Sequence, residues 1–265
     1  MKKFTLDFLL KRWYIIYIMA NKFNFIDLDK SGLPKTKGKN VNGFRFYEID
    51  GKAYPSVTSV LGIRKKKELQ QWRDKIGEDV ANWEMRRAAR RGTAVHRLVE
   101  EYIKGQTPSE RGVLPLGLFK LLKPYVDQIN NVHLLETIMY SPKLTIAGQV
   151  DCVAEYNGKL SVIDFKSANS ERKESWIESY FLQCTAYATM YEETFKTPVE
   201  QIVILIAAED GSVAAHIKEK KDYMDELMKS IDGFYKYYEE QNKDKVKSWR
   251  NKNGDLTYPT CDHNC

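Results

Sequence analysis

Cysteine and histidine are scarce in this sequence, with four of each among 265 residues. In a chain of this length, that scarcity excludes a small disulfide-rich secreted domain and indicates a reducing compartment, by default the cytoplasm. Long apolar runs are also lacking. Residues 1–18 hold two short apolar stretches separated by Lys11 and Arg12, too short and too interrupted to span a bilayer. We therefore expect no membrane partner.

Internal repeats and low-complexity segments are missing as well, and 43% of the residues are hydrophobic. This composition excludes a disordered chain and allows a sizeable core. We predict an N-terminal extension with short strands (1–53), one large folded domain (54–240) and a C-terminal tail (241–265). Met19 offers an alternative start, which would make residues 1–18 an over-extended reading frame.

Positive charge is concentrated in one segment. The formal net charge is +6, and residues 64–97 carry eleven Lys or Arg against five Asp or Glu, which accounts for the whole excess. A nucleic-acid-binding surface and an ordinary solvated helix face both explain such a segment. The charge alone does not decide between them.

Hydrophobic periodicity predicts alternating helices and strands. A strand over 44–49 is followed by a turn at Asp50-Gly51, and Ser56 or Thr58 is placed to cap a short helix. Asn157-Gly158 predicts a tight hairpin between two strands. The complete pattern predicts an α/β sandwich with a mixed sheet: helices over 69–104 (broken near Gly77), 118–130 (with a boundary or kink at Pro124), 172–195 and 222–240, and strands over 134–140, 145–156, 159–166, 201–208 and 212–217.

Two carboxylates and an ammonium mark the predicted hairpin. Asp151 stands at one end of it, and Asp164 and Lys166 lie two residues apart, hence on the same face of the second strand. Phe165 between them must point into the core. Carboxylates on adjacent strands beside a lysine suit Mg²⁺ or Mn²⁺ and phosphodiester hydrolysis. An edge-strand ion pair is the structural alternative, although charges that end an apolar run are costly unless used.

Two helices add further polar side chains. His96 stands on the first long helix, with Glu100 one turn further on the same face. Tyr180, Gln183 and Tyr187 share one stripe of the helix that follows the Asp164 strand. Each feature has a structural alternative, because helical histidines are commonly structural and an aromatic stripe commonly packs in a core.

As a set, these residues resemble the RecB-type exonuclease branch of the PD-(D/E)XK nuclease superfamily. The matching boxes are Gly-x-x-x-His at 92–96, Gly-x-x-Asp at 148–151, Ile-Asp-Phe-Lys-Ser at 163–167 and Gln-x-x-x-Tyr at 183–187. Residues 55–58, 72–73 and 91–93 are similar to phage-encoded and mitochondrial genome maintenance exonucleases. The resemblance covers about residues 54–208 and implies a restriction-endonuclease-like α/β/α sandwich, with a central mixed sheet flanked by helices.

The resemblance also implies roles for these residues. His96, Asp151, Asp164 and the carbonyl of Phe165 would bind one or two Mg²⁺ or Mn²⁺ ions. Lys166 would be the catalytic lysine. Further residues would support the site or the DNA: Gln183 and Tyr187, with Glu100 and Glu136 as candidates for the extra acidic residue that some members use.

No iron–sulfur cluster is expected. Members of this branch that hold one place a cysteine upstream and three in a C-terminal cluster, whereas no cysteine precedes Cys152 here and the tail has two. Cys261, His263 and Cys265 are also too few for a zinc site, so we expect a frayed tail.

The expected function is metal-dependent DNA exonuclease activity at DNA ends or on single strands, in a host cytoplasm if a phage encodes the chain. Arg90, Arg91, Trp72 and Arg73 would contact the DNA. Trp72, Trp83 and Trp176 are each expected in the core, with stacking on unpaired bases as the alternative. A non-catalytic DNA-binding module and an endonuclease, structure-specific or of restriction type, are the rival functions.

Overall fold

A five-stranded mixed sheet forms the centre of the computed structural model, which describes residues 23–242. The strands follow one another across the sheet in chain order, and the third and fourth are parallel while the other neighbours are antiparallel. They are β4 (Ile129–Ser141), β5 (Ile146–Tyr156), β6 (Lys159–Ala168), β7 (Gln201–Ala208) and β8 (Val213–Glu219).

A smaller antiparallel sheet precedes it: β1 (Lys39–Val41), β2 (Phe44–Ile49) and β3 (Lys52–Pro55). Asp50 and Gly51 have φ of +50° and +73° in the β2–β3 turn, which confirms the turn predicted there. A bridge between Ser56 and Ala147 joins the end of this sheet to β5. The small sheet therefore lies beside one end of the central sheet.

Six helices accompany the central sheet: α1 (Val57–Gly62), α2 (Lys66–Ile76), α3 (Glu78–Ile103), α4 (Val113–Val126), α5 (Glu178–Phe195) and α6 (Met224–Gln241). α2 has no buried residue and packs against α3, whereas the others cover the two faces of the sheet. On one face, α3 and α4 bury Val95, Leu98 and Phe119 together with Phe165 of β6. On the other, α1, α5 and α6 contribute to a second buried cluster. The predicted α/β/α sandwich is confirmed.

Local sequence signals explain several boundaries. Asn157 and Gly158 have φ of +52° and +77°, the left-handed pair that a tight hairpin between β5 and β6 requires. Gly77, with φ of +86°, separates α2 from α3 where the break was expected. Ser56 caps α1 by accepting a hydrogen bond from the Ser59 N–H at 3.0 Å.

Other boundaries were predicted wrongly. The helix expected over 118–130 begins at Val113 and ends at Val126, so Pro124 lies in its last turn. The chain then enters β4 at once, because buried Ile129 pairs with Tyr156. The strand expected from 134 therefore begins five residues earlier. The helix expected from 172 begins at Glu178, after a 3₁₀ turn over Glu174–Trp176.

No helix within residues 23–242 is long and apolar enough to cross a membrane. The alternative start at Met19 and the tail residues Cys261, His263 and Cys265 lie outside the described residues. The predicted boundary at residues 53 and 54 falls inside β3. The division into extension, domain and tail stays a prediction.

Candidate active site

Three acidic side chains lie in a row across β4, β5 and β6. Glu136 stands opposite Asp151, since the β4–β5 register is continuous on either side of them. Asp151 and Asp164 stand one position beyond the last β5–β6 pair, Cys152 with Ile163. The row thus forms where β5 and β6 stop exchanging backbone hydrogen bonds.

Beyond the last backbone pair, the carboxylate of Asp151 accepts the hydrogen bond that joins β5 to β6. Its Oδ2 accepts a hydrogen bond from the Phe165 N–H at 3.0 Å, and the residue is 7% exposed. The Phe165 side chain points to the opposite face, into the core, as predicted, and meets the His96 ring edge-on at 6.3 Å between centroids. Phe165 therefore helps to hold both Asp151 and His96 in place.

His96 reaches the row from α3. Its Nδ1 lies 3.5 Å from Asp151 Oδ2 and 3.6 Å from Glu136 Oε1. One ligand atom from each of these three residues can lie within 4.8 Å of the others, a spacing that could hold a metal ion. The structure thus favours Glu136 over Glu100 as the extra acidic residue, a choice that needs the β4–β5 register.

Glu136 is held in an unusual backbone conformation. Its φ is +47°, in the left-handed region that non-glycine residues seldom adopt within a strand. Gln149 Nε2 donates a hydrogen bond to Glu136 Oε2 at 2.7 Å and so fixes the carboxylate. Strained residues of this kind are concentrated at functional sites.

Asp164 and Lys166 form a buried ion pair. The Lys166 Nζ lies 2.5 Å from both oxygens of Asp164 and donates a hydrogen bond to Oδ1. Asp164 is 1% exposed, and its Oδ2 is the one buried side-chain polar atom within residues 23–242 that receives no hydrogen bond. Because Oδ2 also lies 2.5 Å from the Lys166 ammonium, a cation bound there would share this oxygen with Lys166.

The charges shift one another's pKa values. Burial alone would lower the pKa of His96, but the carboxylates of Asp151 and Glu136 outweigh burial and raise it to about 9. Burial raises the pKa of Asp164, opposed by the ammonium of Lys166. Burial would lower the pKa of Lys166, but Asp164 and Asp151 outweigh it and raise that pKa. The three carboxylates of the row therefore outnumber the two cationic side chains, His96 and Lys166, and the surplus charge of the site is negative.

Helix α5 supplies the wall behind this row. Lys166 Nζ lies 5.0 Å from the centre of the Tyr180 ring, and Tyr187 is only 2% exposed. A Cβ atom at Gly148 would lie 2.8 Å from Tyr187 Oη and 2.9 Å from its Cε1. A side chain at position 148 would displace Tyr187. This contact is a physical reason for the glycine of the Gly-x-x-Asp box to occur together with the tyrosine of the Gln-x-x-x-Tyr box.

These residues surround one cleft of about 700 Å³. Of the residues that were given a site role from sequence, seven line it: His96, Glu100, Glu136, Asp151, Lys166, Gln183 and Tyr187. Asp164 lies buried beside it. The Glu100 carboxylate lies 2.5 Å from Lys104 Nζ. Several other lining residues were not assigned to the site from sequence: Arg45, Tyr47, Ser56, Thr58, Thr93, Arg97 and Gln149. The position of the small sheet and the phase of α3 bring most of them to the cleft, and neither is visible in a local pattern.

None of the three arginines expected to contact DNA lines the cleft. Arg91 is 6% exposed, donates hydrogen bonds to Ser167 Oγ and Asn169 Oδ1, and pairs with Glu209. Arg73 pairs with Glu78. The expectation for Arg91 is corrected by helix phase: it lies one turn before buried Val95, so its side chain faces the sheet.

The tryptophans were also placed wrongly. Trp83 and Trp176 are 53% and 52% exposed, and Trp72 is half-buried, so none of the three is a core residue. Arg90 is exposed and makes no ion pair with the described residues. Trp72, Arg73 and Arg90 all lie outside the lining of the cleft.

A family model described as the PD-(D/E)XK nuclease superfamily matches residues 119–265. Mitochondrial genome maintenance exonuclease 1 of Homo sapiens is 32% identical over 176 residues, which are 60% of this chain and 51% of the human protein. The Mus musculus protein of that name is 29% identical over 175 residues, with the same two coverages. The chain spans about half the length of these curated relatives.

Proposed function

The chain belongs to the PD-(D/E)XK nuclease superfamily, and we propose that it is a metal-dependent DNA exonuclease acting at DNA ends or on single strands. One observation carries the proposal. The carboxylates of Glu136, Asp151 and Asp164 stand in a row beside His96 and the Lys166 ammonium, with an open cleft in front of them.

The donor set fits a divalent cation. His96, Glu136 and Asp151 offer an imidazole nitrogen and carboxylate oxygens, which suit Mg²⁺ or Mn²⁺, and Asp164 adds a buried carboxylate that is paired with Lys166. These residues, with the carbonyl of Phe165, would hold the ion. Bound there, it would neutralise charge on the transferring phosphate and lower the pKa of the attacking water.

Lys166 would act as a hydrogen-bond donor. Its raised pKa keeps it an ammonium, and Asp164 holds Nζ at 2.5 Å, so it is placed to grip a phosphate oxygen or orient the attacking water. Removal of a proton from water would require the neutral amine, which this environment disfavours. Gln183 and Tyr187 line the cleft and would limit where the phosphate can lie.

DNA would approach along α3. Residues 83, 86, 90, 93 and 97 follow one another at helical spacing, and Thr93 and Arg97 line the cleft. Arg86, Arg90 and Arg97 make no ion pair with the described residues, whereas Arg87 of the same helix pairs with Glu209. The unpaired arginines are available for phosphates, and exposed Trp83 for an unpaired base.

We place this activity in DNA replication, recombination or repair, in the cytoplasm and in a phage-like setting. The relatives are mitochondrial by name, so the same family also serves an organelle. Fractionation of the cells that produce the protein would test the compartment directly.

The decisive experiment follows cleavage of end-labelled linear and circular DNA, single- and double-stranded, with Mg²⁺, Mn²⁺ or EDTA. We expect metal-dependent loss of linear substrate only, and no cleavage by Lys166→Ala. Lys218→Ala is the matched control, because this lysine lies on the same sheet but outside the cleft. Cutting of circles would indicate an endonuclease. DNA binding without cleavage in either metal would indicate a binding module.

A further inference from the structure

A second groove opens beside the cleft, on the small N-terminal sheet. It has a volume of about 400 Å³, toward the lower end of the ~300–1,000 Å³ at which proteins hold small ligands. It shares Arg45 and Thr58 with the cleft, so the two cavities are adjacent. We infer that this groove binds the nucleotide next to the scissile phosphate, with the neighbouring phosphate held by Arg45. The inference rests on the proposed nuclease function.

The backbone and aliphatic stem of Arg45 are held by their neighbours, whereas its guanidinium has no partner among the described residues. Its N–H donates a hydrogen bond to Ser59 Oγ at 2.8 Å, and its carbonyl accepts one from the Ser56 N–H at 2.7 Å. Its aliphatic stem packs on Gly38, where an added Cβ would lie 2.7 Å from Arg45 Cδ. Its guanidinium makes no hydrogen bond or ion pair with residues 23–242. By contrast, Arg64 is engaged with Glu178 and Glu226.

The charge of the groove selects an anion. Its lining contains Arg45 and Lys66 but no carboxylate, while the adjoining cleft contains Glu100, Glu136 and Asp151. Lys66 already donates a hydrogen bond to the Tyr237 hydroxyl, and an ammonium keeps further donors for another acceptor. A cation would be repelled from this groove, and a phosphate would find two positive partners.

The remaining lining suits the rest of a nucleotide. Asn40 and Asn42 have side-chain amides that can donate to and accept from the edge of a base. Phe44 is partly exposed there and offers an apolar surface to a base or sugar. A strand whose scissile phosphate lies at Asp151 and Lys166 could therefore place its next nucleotide in this groove.

The test combines protein and substrate changes. A series of oligonucleotides, each with one uncharged methylphosphonate at a different position from the cut site, is cleaved by wild type and by Arg45→Ala. We expect one methylphosphonate adjacent to the cut site to raise the wild-type KM at least tenfold, in line with a lost charged hydrogen bond. The same substitution should leave the KM of Arg45→Ala unchanged.

Matched variants complete the design. Lys39→Ala removes an exposed cation from the same sheet outside the groove, and it should respond to the substrates as wild type does. Arg45→Lys keeps the positive charge and should recover part of the coupling, which guards against a folding defect in Arg45→Ala. Equal losses in wild type and Arg45→Ala at every position would overturn the inference, as would the same loss of coupling in Lys39→Ala.

A binding measurement separates this inference from the proposed function. If wild type cuts no DNA with Mg²⁺ or Mn²⁺, the nuclease proposal fails. The Kd of each oligonucleotide in the same series can still be measured by fluorescence anisotropy. Position-specific coupling between the methylphosphonate and Arg45 would then still support the nucleotide site. Normal cleavage without that coupling would overturn the site and leave the nuclease proposal intact.

Discussion

Replacement of Gly148 by alanine tests the tightest packing in the site. The new Cβ would lie 2.8 Å from Tyr187 Oη and 2.9 Å from Tyr187 Cε1, closer than such atoms approach in proteins. Tyr187 is 2% exposed, so it cannot swing into solvent without moving its neighbours. Overpacking of this kind costs about 1–3 kcal/mol of unfolding free energy. The substitution also shifts a wall of the cleft.

Urea denaturation followed by circular dichroism measures the stability, and the cleavage assay measures the activity. We expect Gly148→Ala to lose about 1–3 kcal/mol and to cut DNA at a rate reduced by up to about 100-fold, the effect of a displacement near 1 Å. Gly117→Ala is the matched control. This exposed glycine of α4 has open space around it, so alanine should stabilise the helix by about 0.5–1 kcal/mol.

A double-mutant cycle decides whether the contact itself is responsible. Because Gly148→Ala and Tyr187→Leu act on the same contact, their effects should be strongly non-additive. Additive effects, or a Gly148→Ala protein as stable and active as wild type, would refute the reasoning.

Three further predictions concern charges. In chelator-treated protein, the stabilisation from protonated His96 is complete below pH 6.5 and is lost as pH rises through the His96 pKa of about 9. The Tm should therefore fall between these two pH values. A His96→Gln protein whose Tm has the same pH dependence as that of wild type would contradict this. Arg91→Ala should lower the unfolding free energy by about 1–3 kcal/mol, because Ser167 and Asn169 lose their donor while Glu209 keeps its pair with Arg87. Arg90→Ala should leave stability unchanged but weaken DNA binding and reduce its salt slope by about 1; the reverse pattern would exclude the assignment.

The centre of the fold was predictable because its signals are local. Asn157-Gly158 determines one hairpin, and the strand periods on either side place Asp164 and Lys166 on one face and Phe165 on the other. Gly77 likewise marks the break between two helices. Such features depend on neighbours along the chain, which a sequence displays directly.

Features that depend on distant segments were missed or left open. Glu136 was one of two candidates for the extra acidic residue, and only its pairing with β5, across a strand whose start was misplaced, puts it beside Asp151. Arg45 enters through a sheet whose position beside the cleft no local pattern reveals. The inward phase of Arg91 was available from sequence, because Val95 lies one turn further along the same helix and belongs to the apolar stripe.

The row of acids on three neighbouring strands has a consequence for folding fidelity. Side chains alternate between the faces of a strand, so a slip of β4, β5 or β6 by one residue would turn Glu136, Asp151 or Asp164 to the wrong face. Such a chain could keep most of its apolar burial and still lose the cluster. A divalent ion that binds only the complete row would stabilise the sheet with the correct register and no other. It would therefore raise the fraction of chains that refold with these strands correctly aligned.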